Sequence, residues 1–259
     1  MKAKVRDKYI KILLPTSLVA GLLILWQILS NRYIINPALF SSPLEIWEAI
    51  RYEPKLTQHI LHSIYRLFIA VLIGYPLGAL IGVLVARAKR ISFLEDIVAF
   101  FMSIPGISWA PIFIIILGFG DRTIILVGVL TAFFPALYNM VHGMKAINQN
   151  VIRLTEILEY SPARKFFTVF IPASSTYLIN GLKEAFARSW RTIIAVEMIA
   201  ATMYGLGYMT FDARELLNSS TMFLGILLSG LIYIIIEIIL IGALEKVTIV
   251  RWGMKVKDE

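Results

Sequence analysis

The sequence predicts an all-α integral membrane protein with six spanning helices and no second domain. Composition is the first observation: of 259 residues, 58% are hydrophobic and only 16% are charged, and the mean hydropathy is +0.77. These values lie outside the range of a domain whose whole surface meets water. Apolar windows of spanning length are the second observation, and an uneven distribution of Lys and Arg between those windows is the third.

Six apolar windows follow one another along the chain, each close to the length that crosses about 30 Å of hydrocarbon. Helices are the predicted spanning form, because a spanning segment must satisfy its own backbone groups and no two-residue apolar alternation occurs. The first window has no small-residue cleavage site behind it, so we expect a retained helix. The windows make one transmembrane domain over residues 1–259 and cover residues 12–30, 62–86, 93–118, 122–144, 175–201 and 221–244.

The direction of the helices follows from the basic residues. Sixteen Lys and Arg fall in the segments on one side, residues 1–11, 87–92, 145–174 and 245–259, and five fall on the other. The positive-inside rule therefore places both termini in the cytoplasm of a multi-pass cell-membrane protein. This asymmetry accounts for the net charge of +8, so no nucleic-acid partner is expected.

An outer segment and two of the windows contain short residue patterns that predict local structure. Ser42 and Glu45 can form a capping box for a short surface helix whose Ile46, Trp47 and Ile50 face the membrane or the helix bundle. Glycines recur every fourth residue in the second window at Gly74, Gly78 and Gly82, which predicts close approach of another helix. "SIPGISWAP" interrupts the third window with prolines, which indicates either a kink or an element of a transport path.

The fifth window is the most polar, and charges inside a membrane generally face the bundle interior or a wet path. Glu184, Arg188 and Arg191 share one helix face. They either pair with each other to hold the bundle, or an arginine contacts an anion in transit. Glu197 and Glu237 are possible internal partners for an arginine. The candidate residues of the translocation path are Ser103, Pro105, Trp109, Glu184, Arg188, Arg191 and Glu197.

The sequence lacks the residue patterns of several common catalytic and metal sites. No G-x-x-x-x-G-K-[ST] loop occurs, so ATP energy must come from another subunit. The chain has no cysteine, and His59 and His62 stand without a carboxylate or thiol in a metal-ligand pattern. We therefore expect no catalytic residues, no metal and no cofactor bound by this chain.

The connection between the fourth and fifth windows, residues 145–174, is long and has helical pattern of its own. A first short helix has an apolar face of Val151, Leu154, Ile157 and Leu158. A second begins with Ser161 as N-cap and Pro162 in the first position, and we expect Pro172 to end it. Two amphipathic helices joined at a corner can enter a groove on a cytoplasmic partner.

This connection resembles the cytoplasmic loop of permease subunits of ABC importers, E-A-A-x-x-x-G followed after nine residues by I-x-L-P. Val169 to Pro172 match the end of that pattern, whereas Glu159 stands at the family's glycine and Arg153-Leu154-Thr155 at its Glu-Ala-Ala. Five other segments are similar, in the same order, to the nitrate/sulfonate/taurine type of these permeases: "LFSSPLEIWEAI", "SIPGISWAPIFIIILGFG", "FFPALYNMVHGM", "ARSWRTIIAVEMIA" and "GLGYMTFDAR".

The resemblance implies the type I ABC importer permease fold with cytoplasmic coupling helices. It implies a homodimer of this subunit, with a heterodimer as the alternative, a cytoplasmic ABC ATPase dimer that binds ATP and magnesium, and an extracytoplasmic substrate-binding protein. The coupling residues that it indicates are Arg153, Glu156, Glu159, Tyr160, Ser161, Pro162, Ala163, Arg164 and Pro172.

The implied cargo is a small oxyanion or sulfonate such as nitrate, an alkanesulfonate or taurine. A pyrimidine vitamin precursor or a small aromatic acid is the alternative cargo. A secondary transporter or channel acting alone would need inverted repeats or coupling-ion carboxylates, and an intramembrane lipid enzyme would need a nucleophile or a metal. The sequence shows neither set, and both remain rival classes.

Overall fold

Helices make up nearly all of the protein that the structure, a computed structural model, describes: residues 17–30, 40–86 and 91–245. No strand occurs among these residues. Residues 12–16 of the first predicted span and the basic residues at both termini lie outside them. The helices are α1 (Ser17–Ser30), α2 (Pro43–Tyr52), α3 (Leu56–Ala86), α4 (Ile91–Ser103), α5 (Ala110–Leu117), α6 (Asp121–Lys145), α7 (Gln149–Ile157), α8 (Pro162–Lys165), α9 (Ile171–Ala200), α10 (Leu206–Glu215), α11 (Ser219–Ile236) and α12 (Gly242–Glu245).

Three of the described helices are long and apolar enough to cross a membrane: α3, α6 and the helical stretch Ser219–Leu244. The helices on either side of Ile104 and Pro105 add a fourth span if they are taken together, although they are bent by 90°. α9 has 30 residues, about 45 Å of helix, but it carries the charges of the fifth predicted window. The described part of the first window, α1, is apolar and shorter. The number six stays a prediction.

The chain divides into two compact units. One contains residues 1–57 and 209–228, and the other contains residues 58–208 and 229–259. The core of the first unit is a cluster of Ile46, Ala49 and Leu224, against which Trp26 and Leu56 pack. In this unit Ser42 accepts from the backbone N–H of Glu45, and Glu45 accepts from that of Ser42, so the predicted capping box is confirmed.

In the second unit α3 packs against α6 through the glycines predicted for close approach. A Cβ at Gly78 would stand against the Phe133 carbonyl oxygen and the Ala136 Cβ. One at Gly82 would lie 2.7 Å from the Met140 Cβ. These separations are shorter than side-chain contacts allow, so only glycine permits the backbones to come this close.

α6 and α9 pack against each other in antiparallel directions. Gly143 lies against Tyr177 near one end, and Gly128 lies against Ile193 near the other. Hydroxyl groups add bonds across this contact, because Ser189 donates to the Gly128 carbonyl at 2.9 Å. This packing of α6 on α9 fixes the positions of the polar residues of α9.

Pro172 does not end the second helix of the 145–174 connection, so that prediction was wrong. The backbone stays helical from α8 through a wide π-turn at Phe166–Phe170 into α9. Within it the Ile171 N–H donates to the Phe166 carbonyl, five residues back. Proline lacks an N–H and its ring crowds the carbonyl four residues before it, and a turn widened by one residue accommodates both defects.

Candidate functional site: a polar cavity, a buried ion pair and a cytoplasmic corner

A cavity of about 320 Å³ lies beside the break between α4 and α5. Its wall combines the break itself with residues of α6 and α9, and it contains both arginines of the fifth window. Its lining includes Ser103, Pro105, Trp109, Thr131, Arg188 and Arg191. Gly106 packs directly on Thr192, which leaves no room for a side chain where the break meets α9.

Neither arginine of the cavity has a carboxylate at close ion-pair distance. Arg188 Nε lies 4.0 Å from Glu184 Oε2, at the limit of an ion pair, and Arg188 Nη1 donates to the Met102 carbonyl at 3.5 Å. Arg191 Nε donates to Ala187 in its own helix at 3.0 Å, and no carboxylate of the described residues lies within 4.0 Å of its guanidinium. Both cations can therefore interact with the contents of the cavity.

Five of the seven predicted path residues meet at this cavity: Ser103, Pro105, Trp109, Arg188 and Arg191. Glu184 is next to Arg188 but does not line the cavity. Glu197 is not at the cavity; it is fully buried near the end of α9. Glu237, predicted as a possible partner for an arginine, pairs with Lys183 instead, at 3.1 Å.

Glu197 pairs with an arginine, as predicted, and that arginine is Arg66, which was not among the candidate residues. Arg66 Nη1 donates to Glu197 Oε1 at 2.7 Å, and the side chains are 3% and 0% exposed. Arg66 also binds Asp121 at 2.6 Å and the Tyr204 carbonyl at 2.7 Å. This pair joins α3 to α9 and to the first residue of α6.

The segment after α9 is held by the same network. Ser63 donates to Glu197 at 2.8 Å and accepts from the Leu206 N–H at 2.8 Å, while Glu197 Oε2 accepts from the Gly207 N–H at 2.9 Å. Polar groups buried this deeply need all of these bonds. A lone arginine inside an apolar window is a signal for such a partner, and it could have directed attention to Arg66.

His59 belongs to this region and has a backbone contact. Its Nδ1 lies 3.0 Å from the Gly205 carbonyl oxygen, and the ring stacks on Tyr208. Among the described residues no group of three or more His, Asp or Glu could hold a metal ion.

The predicted corner of the 145–174 connection is built from two caps. At the end of α7 the Tyr160 N–H donates to the Thr155 carbonyl at 3.0 Å and the Glu159 N–H to the Glu156 carbonyl at 3.1 Å, which is a Schellman motif. Ser161 then accepts from the Arg164 N–H, so the predicted N-cap is confirmed. The corner changes direction without a flexible linker.

An ion pair and a cation–π contact connect side chains across this corner. Lys165 Nζ lies 3.3 Å from Glu156 Oε1, and the Arg164 guanidinium lies 4.4 Å from the centre of the Tyr160 ring. Pro162 and Ala163 are exposed beside them. Exposed ion pairs contribute little to stability individually. The two caps therefore contribute most to fixing the backbone geometry of the corner.

The apolar face predicted for α7 is uncovered in the isolated chain. Leu154 is 53% exposed and Ile157 is 78% exposed. Phe167 of the π-turn is 67% exposed. Surfaces of this kind commonly mark contact sites for another protein.

Glu159 has a left-handed backbone, with φ of 50°. It occupies the position of the family's glycine, and a side chain there costs about 1–2 kcal/mol. We expect Glu159→Gly to raise the free energy of unfolding by about 0.5–1 kcal/mol, because strain is relieved while glycine adds some unfolded-state entropy. Thermal unfolding of the purified protein measures this. Arg153→Gly, inside α7, is the control and should destabilise by about 1 kcal/mol; destabilisation by Glu159→Gly as well would contradict the strain argument.

The chain matches a known family over much of its length. The model for "Binding-protein-dependent transport system inner membrane component" matches residues 74–247. The taurine transport system permease protein of Escherichia coli is 28% identical, with 88% of this chain and 86% of that protein covered. A putative aliphatic sulfonates transport permease protein of Bacillus subtilis is 25% identical, with 85% and 80% covered.

Other similar proteins are named for different solutes. A bicarbonate transport system permease protein of Synechocystis is 26% identical, with 87% of this chain and 85% of that protein covered. A solved structure of the MetNI methionine ABC transporter in an inward facing conformation matches with a TM-score of 0.62 at 18% identity, covering 74% of this chain and 98% of that one. That likeness shows the type I importer fold. The chain therefore belongs to the family of inner membrane components of binding-protein-dependent transport systems, as a multi-pass, non-catalytic permease subunit of an ABC importer that works with ATPase partners and a substrate-binding protein.

Proposed function

We propose that the cavity beside the break of α4 and α5 is part of the path along which this permease passes its solute. The observation that carries the proposal is the pair Arg188 and Arg191, which line a cavity of about 320 Å³. The carboxylate of Glu184 is 4.0 Å from Arg188, and no carboxylate of the described residues lies within 4.0 Å of the Arg191 guanidinium. A cation at the centre of a membrane helix costs about 2.5–3.5 kcal/mol. Arginines placed this way are favoured where water or an anion occupies the adjacent space.

A small oxyanion or sulfonate is the proposed cargo. The planar guanidinium fork suits oxyanions with two acceptor oxygens, and the cavity lies at the lower end of the volumes of ligand sites. Relatives named for taurine, sulfonates and bicarbonate support a small anionic solute. Nitrate, an alkanesulfonate and taurine are the first solutes to test.

A small aromatic acid or a pyrimidine vitamin precursor is the second candidate cargo. Three aromatic side chains of the cavity favour it. Phe101 is parallel to Phe134, with ring centres 5.2 Å apart, and Trp109 lies 6.1 Å from Phe101. Rings of this kind can stack on a planar solute.

The proposed assembly is a homodimer of this chain on a cytoplasmic ABC ATPase dimer. ATP and magnesium bind to the ATPase subunits, both termini of this chain are cytoplasmic, and the substrate-binding protein delivers solute from outside. The basic segments on the predicted inner side support this direction. A heterodimer with a second permease is the alternative assembly.

The corner at Ser161, Pro162 and Ala163 is the proposed contact with the ATPase. Its exposure, its two caps and the uncovered apolar face of α7 support this assignment. On this proposal ATP closes the ATPase pair, draws the corners together and opens the helices outward, and hydrolysis resets them. The ATP cycle can shift the helices only if the docked ATPase favours two packings of them differently.

We expect Arg188→Ala to reduce solute uptake roughly tenfold, since a lost hydrogen bond from a charged group is worth about 1.5–3 kcal/mol. The measurement is uptake of labelled nitrate, taurine and an alkanesulfonate into proteoliposomes containing the assembled complex and its cognate substrate-binding protein. The amount of assembled complex and its basal ATPase rate should stay unchanged.

Two further variants serve as controls for Arg188→Ala. Arg188→Lys keeps the charge and should retain part of the uptake, while Arg122→Ala removes an exposed cation outside the cavity and should have little effect. Equal loss of assembly and uptake in Arg188→Ala would assign Arg188 a structural role. Uptake by the purified chain without an ATPase would instead support a secondary transporter.

A further inference from the structure

The short helix α2 lies at the level where three apolar helices begin or end. The Leu44 N–H donates to Gln27 Oε1 near the end of α1 at 3.2 Å. The Ser41 hydroxyl lies 2.6 Å from that of Ser219, the first residue of α11. Leu56, the first residue of α3, packs on the cluster that contains Ile46. Since α3 and the stretch from Ser219 are candidate spans, these contacts fix α2 at the edge of the membrane.

The surface of α2 has three sectors. Successive residues are about 100° apart around a helix, which puts the buried residues Ile46 and Ala49 on one side. Glu45 and Glu48, both exposed, form a polar sector about 100° around the helix from the buried side. The remaining side of the helix carries a row of residues three apart, Leu44, Trp47 and Ile50, and this row is apolar.

That apolar row is uncovered by the chain itself. Leu44 is 59% exposed, Trp47 is 63% exposed and Ile50 is 37% exposed. A helix that packs one face on protein and exposes Trp and aliphatic residues on the adjoining face is typical of an interfacial membrane helix. Trp in particular concentrates at the boundary between headgroups and acyl chains.

We propose that α2 is an interfacial anchor whose row Leu44, Trp47 and Ile50 lies in the bilayer at the boundary of headgroups and acyl chains. The occupant of this face is therefore lipid. Arg51 lies on the same side of the helix, between Trp47 and Leu44 in angle, and its long side chain can reach the phosphate level while its methylenes stay on the apolar side. The anchor sets the depth and rotation of the first unit in the membrane.

Lipid is favoured over a protein occupant by the neighbouring surface. α1, whose end contacts α2, exposes leucines along its length, including Leu22 at 58% and Leu25 at 51%. Because α1 is part of an apolar window of spanning length in a multi-pass membrane protein, we expect this surface to meet acyl chains. The row on α2 begins where that lipid-facing surface ends.

The absence of cysteine allows a direct test with single spin labels. Leu44→Cys, Trp47→Cys, Ile50→Cys, Glu45→Cys and Glu48→Cys are each labelled in the assembled complex in proteoliposomes. Collision rates with oxygen, which concentrates in lipid, and with a water-soluble nickel chelate are compared. Labels at Leu72, 75% exposed on α3, and at Arg214 provide the lipid and water references.

We expect the labels at 44, 47 and 50 to give oxygen-to-nickel ratios between the mid-span Leu72 reference and the Arg214 reference, as a label at the headgroup boundary should, and those at 45 and 48 to match the Arg214 reference. Water-like ratios at all five positions would overturn the proposal. Loss of label mobility at 47 on addition of the substrate-binding protein would assign the face to that protein. Dipolar broadening between two labels at 47 would assign it to a second copy of the chain. Either result would overturn a lipid occupant.

A second measurement covers the case in which a labelled variant does not assemble. Brominated phospholipids quench tryptophan fluorescence at short range, so the native complex should lose a quenchable component when Trp47→Phe is introduced. An unchanged quenching profile would contradict the anchor. Trp26→Phe, in the protein cluster near α2, is the matched control and should leave that component in place.

Discussion

Arg66→Met is expected to lower the free energy of unfolding by about 3–5 kcal/mol, because it leaves Glu197 buried without its cation. The side chains of the pair are 3% and 0% exposed, so water cannot replace the lost contacts. The substitution also frees Asp121 and the Tyr204 carbonyl from their donor. Thermal unfolding of the detergent-solubilised protein and its folded yield are the measurements.

Two further variants distinguish the buried pair from a general effect of removing arginine. Arg214→Met removes an exposed cation whose partner is its neighbour Glu215, and exposed pairs of this kind contribute about 0–1 kcal/mol. The double variant Arg66→Met with Glu197→Met removes both charges and should recover much of the lost stability. If the double variant is no more stable than Arg66→Met, the charge pair is not the cause of the loss.

The second large effect is expected from Ala163→Trp at the cytoplasmic corner. A bulky ring at this exposed position would separate the corner from the proposed ATPase groove, and overpacking of a close contact costs about 1–3 kcal/mol. That corresponds to roughly 10–100-fold in the affinity of the contact. We expect substrate-stimulated ATPase activity and uptake to fall together by this order, while the chain still folds and inserts.

The control for this variant is a tryptophan of equal size elsewhere. Asp212→Trp places the ring at an exposed position of α10, outside the 145–174 connection, and should leave stimulation intact. Pro162→Gly tests the same corner differently, since it loosens the first turn of α8 without adding bulk. Unchanged stimulation in Ala163→Trp would remove the coupling assignment, whatever the result for Arg188.

Local signals in the sequence predicted local geometry well. The spacing of Ser42 and Glu45 and the pair Ser161-Pro162 predicted caps that the structure contains, because a cap depends only on residues within one turn. Gly74, Gly78 and Gly82 predicted a close helix contact that α6 provides. The spacing of Arg188 and Arg191 placed them on one face, and both reach the same cavity.

Predictions that depended on partners far along the chain were less complete. Glu197 was predicted both as a path residue and as a possible partner for an arginine; it does pair with an arginine, but with Arg66, 131 residues away, and outside the cavity. Pro172 was expected to end a helix, and a π-turn carries the helix past it. Glu159 differs from the glycine of the resembling loop, yet the chain keeps the left-handed turn at that position.

By itself the sequence determined the helical membrane class, the caps and the family resemblance, since these follow from composition, periodicity and short motifs. The direction of the helices stays a prediction from the distribution of Lys and Arg. The tertiary structure alone decided which charges meet. A buried arginine is stable only where the fold brings a carboxylate and carbonyl oxygens to its guanidinium, and no local pattern around Arg66 specifies that those groups come from Glu197, Asp121 and Tyr204.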